Sequence, residues 1–178
     1  MKKAIRYAAF VLCLLLASPA LAGDTIRQSM TVDEAYSAIP HGKTRFDSST
    51  AVTGEDERKF LDSFFGVIDL AVAERVIWQT GKKGDADNYD AILARLAALD
   101  APERAKKAYT LVTEAIAEQR QYLAKISAGE RFNAGDALVQ SSHRKLFSAY
   151  TALMGAYPDE SQHNKSAFFD HLCALDFI

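Results

Sequence analysis

Phe60, Leu61, Phe64, Phe65, Ile68, Ala71 and Val72 recur at intervals of three and four residues. That period lines them up along one stripe of an α-helix and would scatter them over both faces of a strand, so it commits the stretch to helix. Thr53 stands where an N-cap belongs, and Glu55, Asp56 and Glu57 put negative charge at the positive end of the helix dipole. Gly81, followed by Lys82 and Lys83, supplies a stop with the charge sign a helix C-terminus prefers.

The same period continues along the chain. Thr31-Val32-Asp33-Glu34 has the capping-box pattern and opens a short helix that stops before Pro40. Tyr89, Ile92, Leu93, Leu96 and Leu99 mark a third helix, which Asp100-Ala101-Pro102-Glu103 breaks while starting a fourth. The fourth carries Ala105, Tyr109, Val112, Ile116, Leu123 and Ile126 and ends at Gly129. A fifth runs from Asn133 to Tyr157 with Leu138, Val139, Leu146, Phe147, Tyr150, Leu153 and Met154 inward, and Pro158 closes it. The last begins at Asn164 and buries Phe168, Phe169, Leu172 and Cys173. Lys43 to Thr53 has no periodic apolar set and reads as loop. Apolar–polar alternation never persists, and no Asn-Gly or Asp-Gly hairpin pair occurs. The expected fold is all-α, an antiparallel helical bundle of three long helices plus two or three short ones over residues 54–178. An arm, residues 23–53, precedes it.

The first twenty-two residues read as an address. Lys2, Lys3 and Arg6 form a basic start, AAFVLCLLLA from Ala8 to Ala17 an apolar core, and Ala20-Leu21-Ala22 a cleavage site. A spanning helix needs about 20 apolar residues, roughly twice this run. The style is bacterial, which predicts a periplasmic protein beginning at Gly23 with no membrane span after cleavage. Asn164-Lys165-Ser166 is a glycosylation sequon of little meaning in such a host.

Cleavage would leave 18 cations against 23 anions, a net charge of −5. That balance argues against nucleic acid and anionic membranes as partners. Cys173 becomes the sole cysteine, which excludes a disulfide framework or a Cys-built metal centre and leaves a buried or partner-linking thiol. No haem-attachment, zinc-protease, nucleophile-elbow or dinucleotide motif is present, and Gly42-Lys43-Thr44 lacks the earlier glycine of a phosphate loop. No cofactor is implied. His163, His171, Met154 and Cys173 make a conceivable soft-metal set, which random scatter explains equally well.

Polar residues on apolar helix faces are the remaining clue. Arg75 falls among Ile68, Ala71 and Val72, with Gln79 one turn on; Gln119 interrupts the stripe of Val112, Ile116 and Leu123; Ser142 and His143 sit beside Val139 and Leu146. An unpaired guanidinium in a dry core costs several kcal/mol, so Arg75 needs partners or water. Two readings stay open: a ligand-binding pocket built from Arg75, Gln119, Ser142 and His143, or ordinary core polar groups with a snorkelling arginine. His41, Lys43 and Arg45 form a small cationic patch, and Phe177 and Ile178 an apolar tail; both are candidate surfaces for a protein partner. No spacing supports catalysis. The sequence thus predicts an accessory protein that binds a partner in the cell envelope, with a small-ligand or metal-binding bundle as the alternative.

Overall fold

In the computed structural model, which describes residues 26, 28–40, 43–80 and 84–177, every regular element is helical. The helices are α1 (Val32–Ala38), α2 (Glu55–Gln79), α3 (Ala86–Ala97), α4 (Lys106–Ser127), α5 (Ala137–Ala156) and α6 (Gln162–Leu175), with a single 3₁₀ turn at Ser48–Thr50. The proposed signal segment lies outside the described residues. No described helix is long and apolar enough to cross a membrane.

Helix α2 is the centre of the molecule. Phe60, Leu61, Phe64, Phe65, Ile68, Ala71 and Val72 are all buried, as their spacing predicts. From Val67 to Ile77 the helix is buried almost all the way round, because α1, α3 and α6 pack on different sides of it. A helix enclosed in this way buries its polar residues too, and Asp69, Glu74 and Arg75 are each under 5% exposed. Helices α4 and α5 form a second, closely packed pair. Lys125 bonds Asp136, Ser141 bonds Glu118, and Lys145 bonds Glu118 and Glu114. Residue numbers rise on one helix as they fall on the other, so this pair is antiparallel.

Local chemistry sets the ends. The Thr31 capping box forms as expected, with Glu34 N–H donating to Thr31 Oγ1 and Thr31 N–H to Glu34. Gly129, at φ 102°, takes the left-handed conformation that terminates α4. Four boundaries shift. Gly54, not Thr53, caps α2, and the Thr53 hydroxyl is buried without a partner. Pro102 opens a turn rather than a helix, so α4 starts at Lys106. Asn133 is held in its own turn by Gly135 N–H and by the Tyr122 hydroxyl, which delays α5 until Asp136 caps it. Ser161 caps α6 and moves its start to Gln162.

Three inward assignments fail on helices α5 and α6. Phe147 is 67% and Phe169 49% exposed, and Cys173 is an exposed free thiol. The buried arc of α6 runs through Asn164, Phe168, His171, Leu172 and Leu175, and this rotation leaves Phe169 and Cys173 at its rim. Asn164 is fully buried, its amide nitrogen donating to Asp47 O and Glu160, so the sequon is inaccessible in the folded chain.

The chain returns from α2 to α3 through a close approach at Gly84, where an added Cβ would overlap the Trp78 indole. Gly84→Ala should therefore lower stability by about 1–3 kcal/mol and shift the emission of Trp78, the chain's single tryptophan. Chemical denaturation followed by fluorescence checks both.

Candidate functional site

The polar residues singled out from the sequence lie around the C-terminal end of α6. Gln119, wholly buried on α4, donates through Nε2 to Leu175 O at 2.8 Å. His143 Nδ1 pairs with the carboxylate of Asp176, one residue on. Arg75 donates from one terminal nitrogen to Gln79 Oε1 at 2.7 Å, and no described carboxylate lies within ion-pairing distance of it. Burial lowers its guanidinium from the ordinary arginine value, with Tyr89, Asp176 and Cys173 pulling the other way. Arg75 thus lies within electrostatic reach both of Tyr89 on α3 and of the tail that Gln119 and His143 hold. Ser142 is 1% exposed, between Ser141, which bonds Glu118, and His143. Among the described residues, four polar atoms in these buried surroundings have no hydrogen-bond partner: Arg75 Nε, Tyr89 Oη, Gln119 Oε1 and Ser142 Oγ. Such groups carry a desolvation penalty unless a water or ligand meets them.

Beside that tail runs a groove of about 190 Å³ between α5 and α6, lined by Leu146, Phe147, Tyr150, Phe169 and Leu172, with His143, Cys173 and Asp176 at one end. Tyr150 and Phe169 meet edge to face at 5.5 Å. His143, Asp176 and Cys173 have the residue types of a nucleophilic triad. No hydrogen bond joins the sulfur to His143, however, and the partial enclosure of its side chain together with Asp176 holds the thiol above its ordinary value. A protonated, unactivated thiol is a poor nucleophile.

A second polar centre was not foreseen from the sequence. Tyr36 of α1 donates to Asp69 Oδ1 at 2.8 Å, and His171 Nδ1 lies 2.9 Å from both Asp69 Oδ1 and the Tyr36 hydroxyl. Arg45 donates twice to Asp69 Oδ2, at 2.6 and 3.0 Å, and once to Asp33. Burial alone would raise the Asp69 carboxyl. Hydrogen bonds from His171 and Tyr36 and the positive charge of Arg45 outweigh it and hold the group below the usual carboxylate range. Burial, then Asp69, pushes the Tyr36 hydroxyl far above an ordinary phenol. The missed signal was Val67 to Trp78 itself, an apolar run interrupted only by Asp69, Glu74 and Arg75. Each of those residues had to find a partner inside. Glu74 does so by accepting from Asp85 N–H and Asn88, which fastens the start of α3.

The candidate partner-binding residues are placed differently from one another. Lys43 is exposed, whereas Arg45 is committed to Asp69 and Asp33. Phe177 packs edge-on against Tyr122 and Phe132 of its own chain. His41 and Ile178 lie outside the described residues. Among the described residues no three His, Cys, Asp or Glu side chains assemble as metal ligands, and the His163, His171, Met154 and Cys173 set does not come together.

Asp69→Asn should cost about 3 kcal/mol at neutral pH, because it strips charge from a buried, paired site. The folded carboxyl is depressed, so its stabilisation is present above about pH 4, where an unfolded aspartate ionises, and is lost as pH falls through the folded value. Urea titrations of both proteins at pH 7 and pH 3 should show the difference shrinking in acid. No protein-family model, curated protein or solved structure matches the chain.

Proposed function

We propose that this is an exported periplasmic accessory protein that works by binding a protein partner in the cell envelope, and that the α5–α6 groove is its docking surface. One observation carries the reading. Phe147 and Phe169, two of the few large apolar side chains exposed among the described residues, stand on neighbouring helices at the same groove. Exposed aromatic side chains gathered at a concave apolar surface are the usual anchor points of a protein interface. The net charge of −5 expected after cleavage favours an apolar segment flanked by basic residues as the occupant. The scaffold fits this role: we read α2, α4 and α5 as the three long members of an antiparallel bundle, with α5 presenting the groove. Lys43 remains available at the edge of the arm as a further contact. The basic start, apolar core and Ala-x-Ala site of residues 1–22 support export.

A photo-crosslinking side chain at position 147 should yield one defined adduct in the envelope fraction. The same group at Lys107, exposed on α4 away from the groove, should yield none. Equal labelling at both positions overturns the reading. Replacing Phe147, the more exposed of the two, by Ser should weaken the partner at least about tenfold while leaving the melting temperature nearly unchanged.

The unpartnered atoms of Arg75, Gln119 and Ser142 favour a second reading, a small polar ligand held beside the α6 tail with His143 at its margin. Native mass spectrometry of protein taken from its own host should then show an added mass that Arg75→Met removes. An unmodified mass for both proteins rejects it.

A further inference from the structure

The segment from Thr44 to Val52 lies along α6 and α2 as a strap, and side chains rather than a sheet satisfy its backbone. Thr44 N–H donates to Asp170, Asp47 N–H to Asn164 Oδ1 and Val52 N–H to Glu160, while Arg45 O meets His163 Nε2. Phe46 stacks on Phe65 at 5.3 Å and on Phe168 at 6.4 Å. At the middle of the strap, Phe46 N–H donates to His171 Nε2 at 2.9 Å. That bond fixes the state of the imidazole. Nε2 accepts, so it carries no proton; the ring proton sits on Nδ1, donated toward Asp69 Oδ1 and the Tyr36 hydroxyl.

We propose that His171 is a proton-operated latch: neutral, it holds the strap through Phe46 N–H, and on gaining a second proton at Nε2 it releases the strap and uncovers the apolar seat formed by Phe65 and Phe168. The proposal is independent of the docking reading and of where the chain resides. Geometry makes it work. An imidazolium would point an N–H at the Phe46 N–H across 2.9 Å, two donors with no acceptor between them, on a ring only 1% exposed.

The surrounding charges do not reverse this. Tyr36 from α1 stays an uncharged phenol. Asp69 from α2 faces the Nδ1 edge, and its other oxygen is already met by Arg45 from the strap. Because Asp69 sits on α2 rather than the strap, its pull on an imidazolium persists after release and does not favour the docked state. Asp170 and His163, on α6 itself, engage the strap at Thr44 N–H and Arg45 O. Asp62 on α2 and Asp47 on the strap line the open side of the site. The docked state excludes a proton that the released state accepts, so docking weakens as pH falls. One proton taken up on release weakens docking by at most about tenfold per pH unit.

Amide hydrogen exchange on the full chain tests this. After correction for the intrinsic pH dependence of exchange, protection of Phe46 and Asp47 should fall about tenfold between pH 7.5 and 5.5. Amides within Val112–Leu123 on α4 should keep theirs. His171→Gln, whose side chain does not titrate, should flatten the response; if that variant does not fold, the profile of the unaltered chain decides alone. A strap protection that ignores pH, or that falls together with α4, overturns the latch. So does nitrogen NMR showing a proton on Nε2 at pH 7.5.

Discussion

Enclosure of α2 is the constraint on which the rest of the structure depends. From Val67 to Ile77 α2 has almost no solvated face, and it nevertheless carries Asp69, Glu74 and Arg75 within those turns. A buried carboxylate without partners is prohibitively unstable, so elements that dock on α2 must bring donors with them. Asp69 draws donors from α1, the strap and α6, and Glu74 draws them from the start of α3 and from Gln28. Apolar burial drives these elements onto α2, and the two carboxylates decide where along it they stop. Non-directional attraction gives stability without register; charge-assisted hydrogen bonds give register.

Arg75 is the exception among the three. It has one neutral acceptor, Gln79, and otherwise the more distant fields of Tyr89 and of the α6 end. Around that end the polar groups are incompletely matched, while the Asp69 centre is densely bonded. The molecule therefore has a densely bonded polar knot on one side and a polar region with unmatched groups near its tail. The apolar groove borders the latter. Binding sites are drawn from regions where some bonding capacity is left unused, and the tail region fits that description better than the knot.

How much of this was legible varied with the kind of interaction. The α2 stripe, the Thr31 cap and the Gly129 stop are local properties of a few consecutive residues, and they appear where periodicity and capping chemistry put them. Of the boundaries that shifted, the start of α5 did so through a more distant partner, Tyr122 reaching Asn133, whereas the Pro102 turn and the Ser161 cap are local. Arg75, Gln119 and Ser142 were legible as polar residues on apolar faces. His171 was visible only as one of four scattered histidines, because its bonding depends on three other segments.

The amino-acid sequence by itself determined that the chain is helical, and it marked the core of α2 and the polar residues that interrupt its apolar faces. These follow from steric and hydrophobic periodicity that any four-residue window expresses. Only the tertiary structure decided which way α5 and α6 face, leaving Phe147 and Phe169 outward and His171 inward, and only it joined Tyr36, Arg45, Asp69 and His171. The rotation of a helix about its axis is set by the summed packing of its neighbours, and a hydrogen bond between residues 135 positions apart has no local signature.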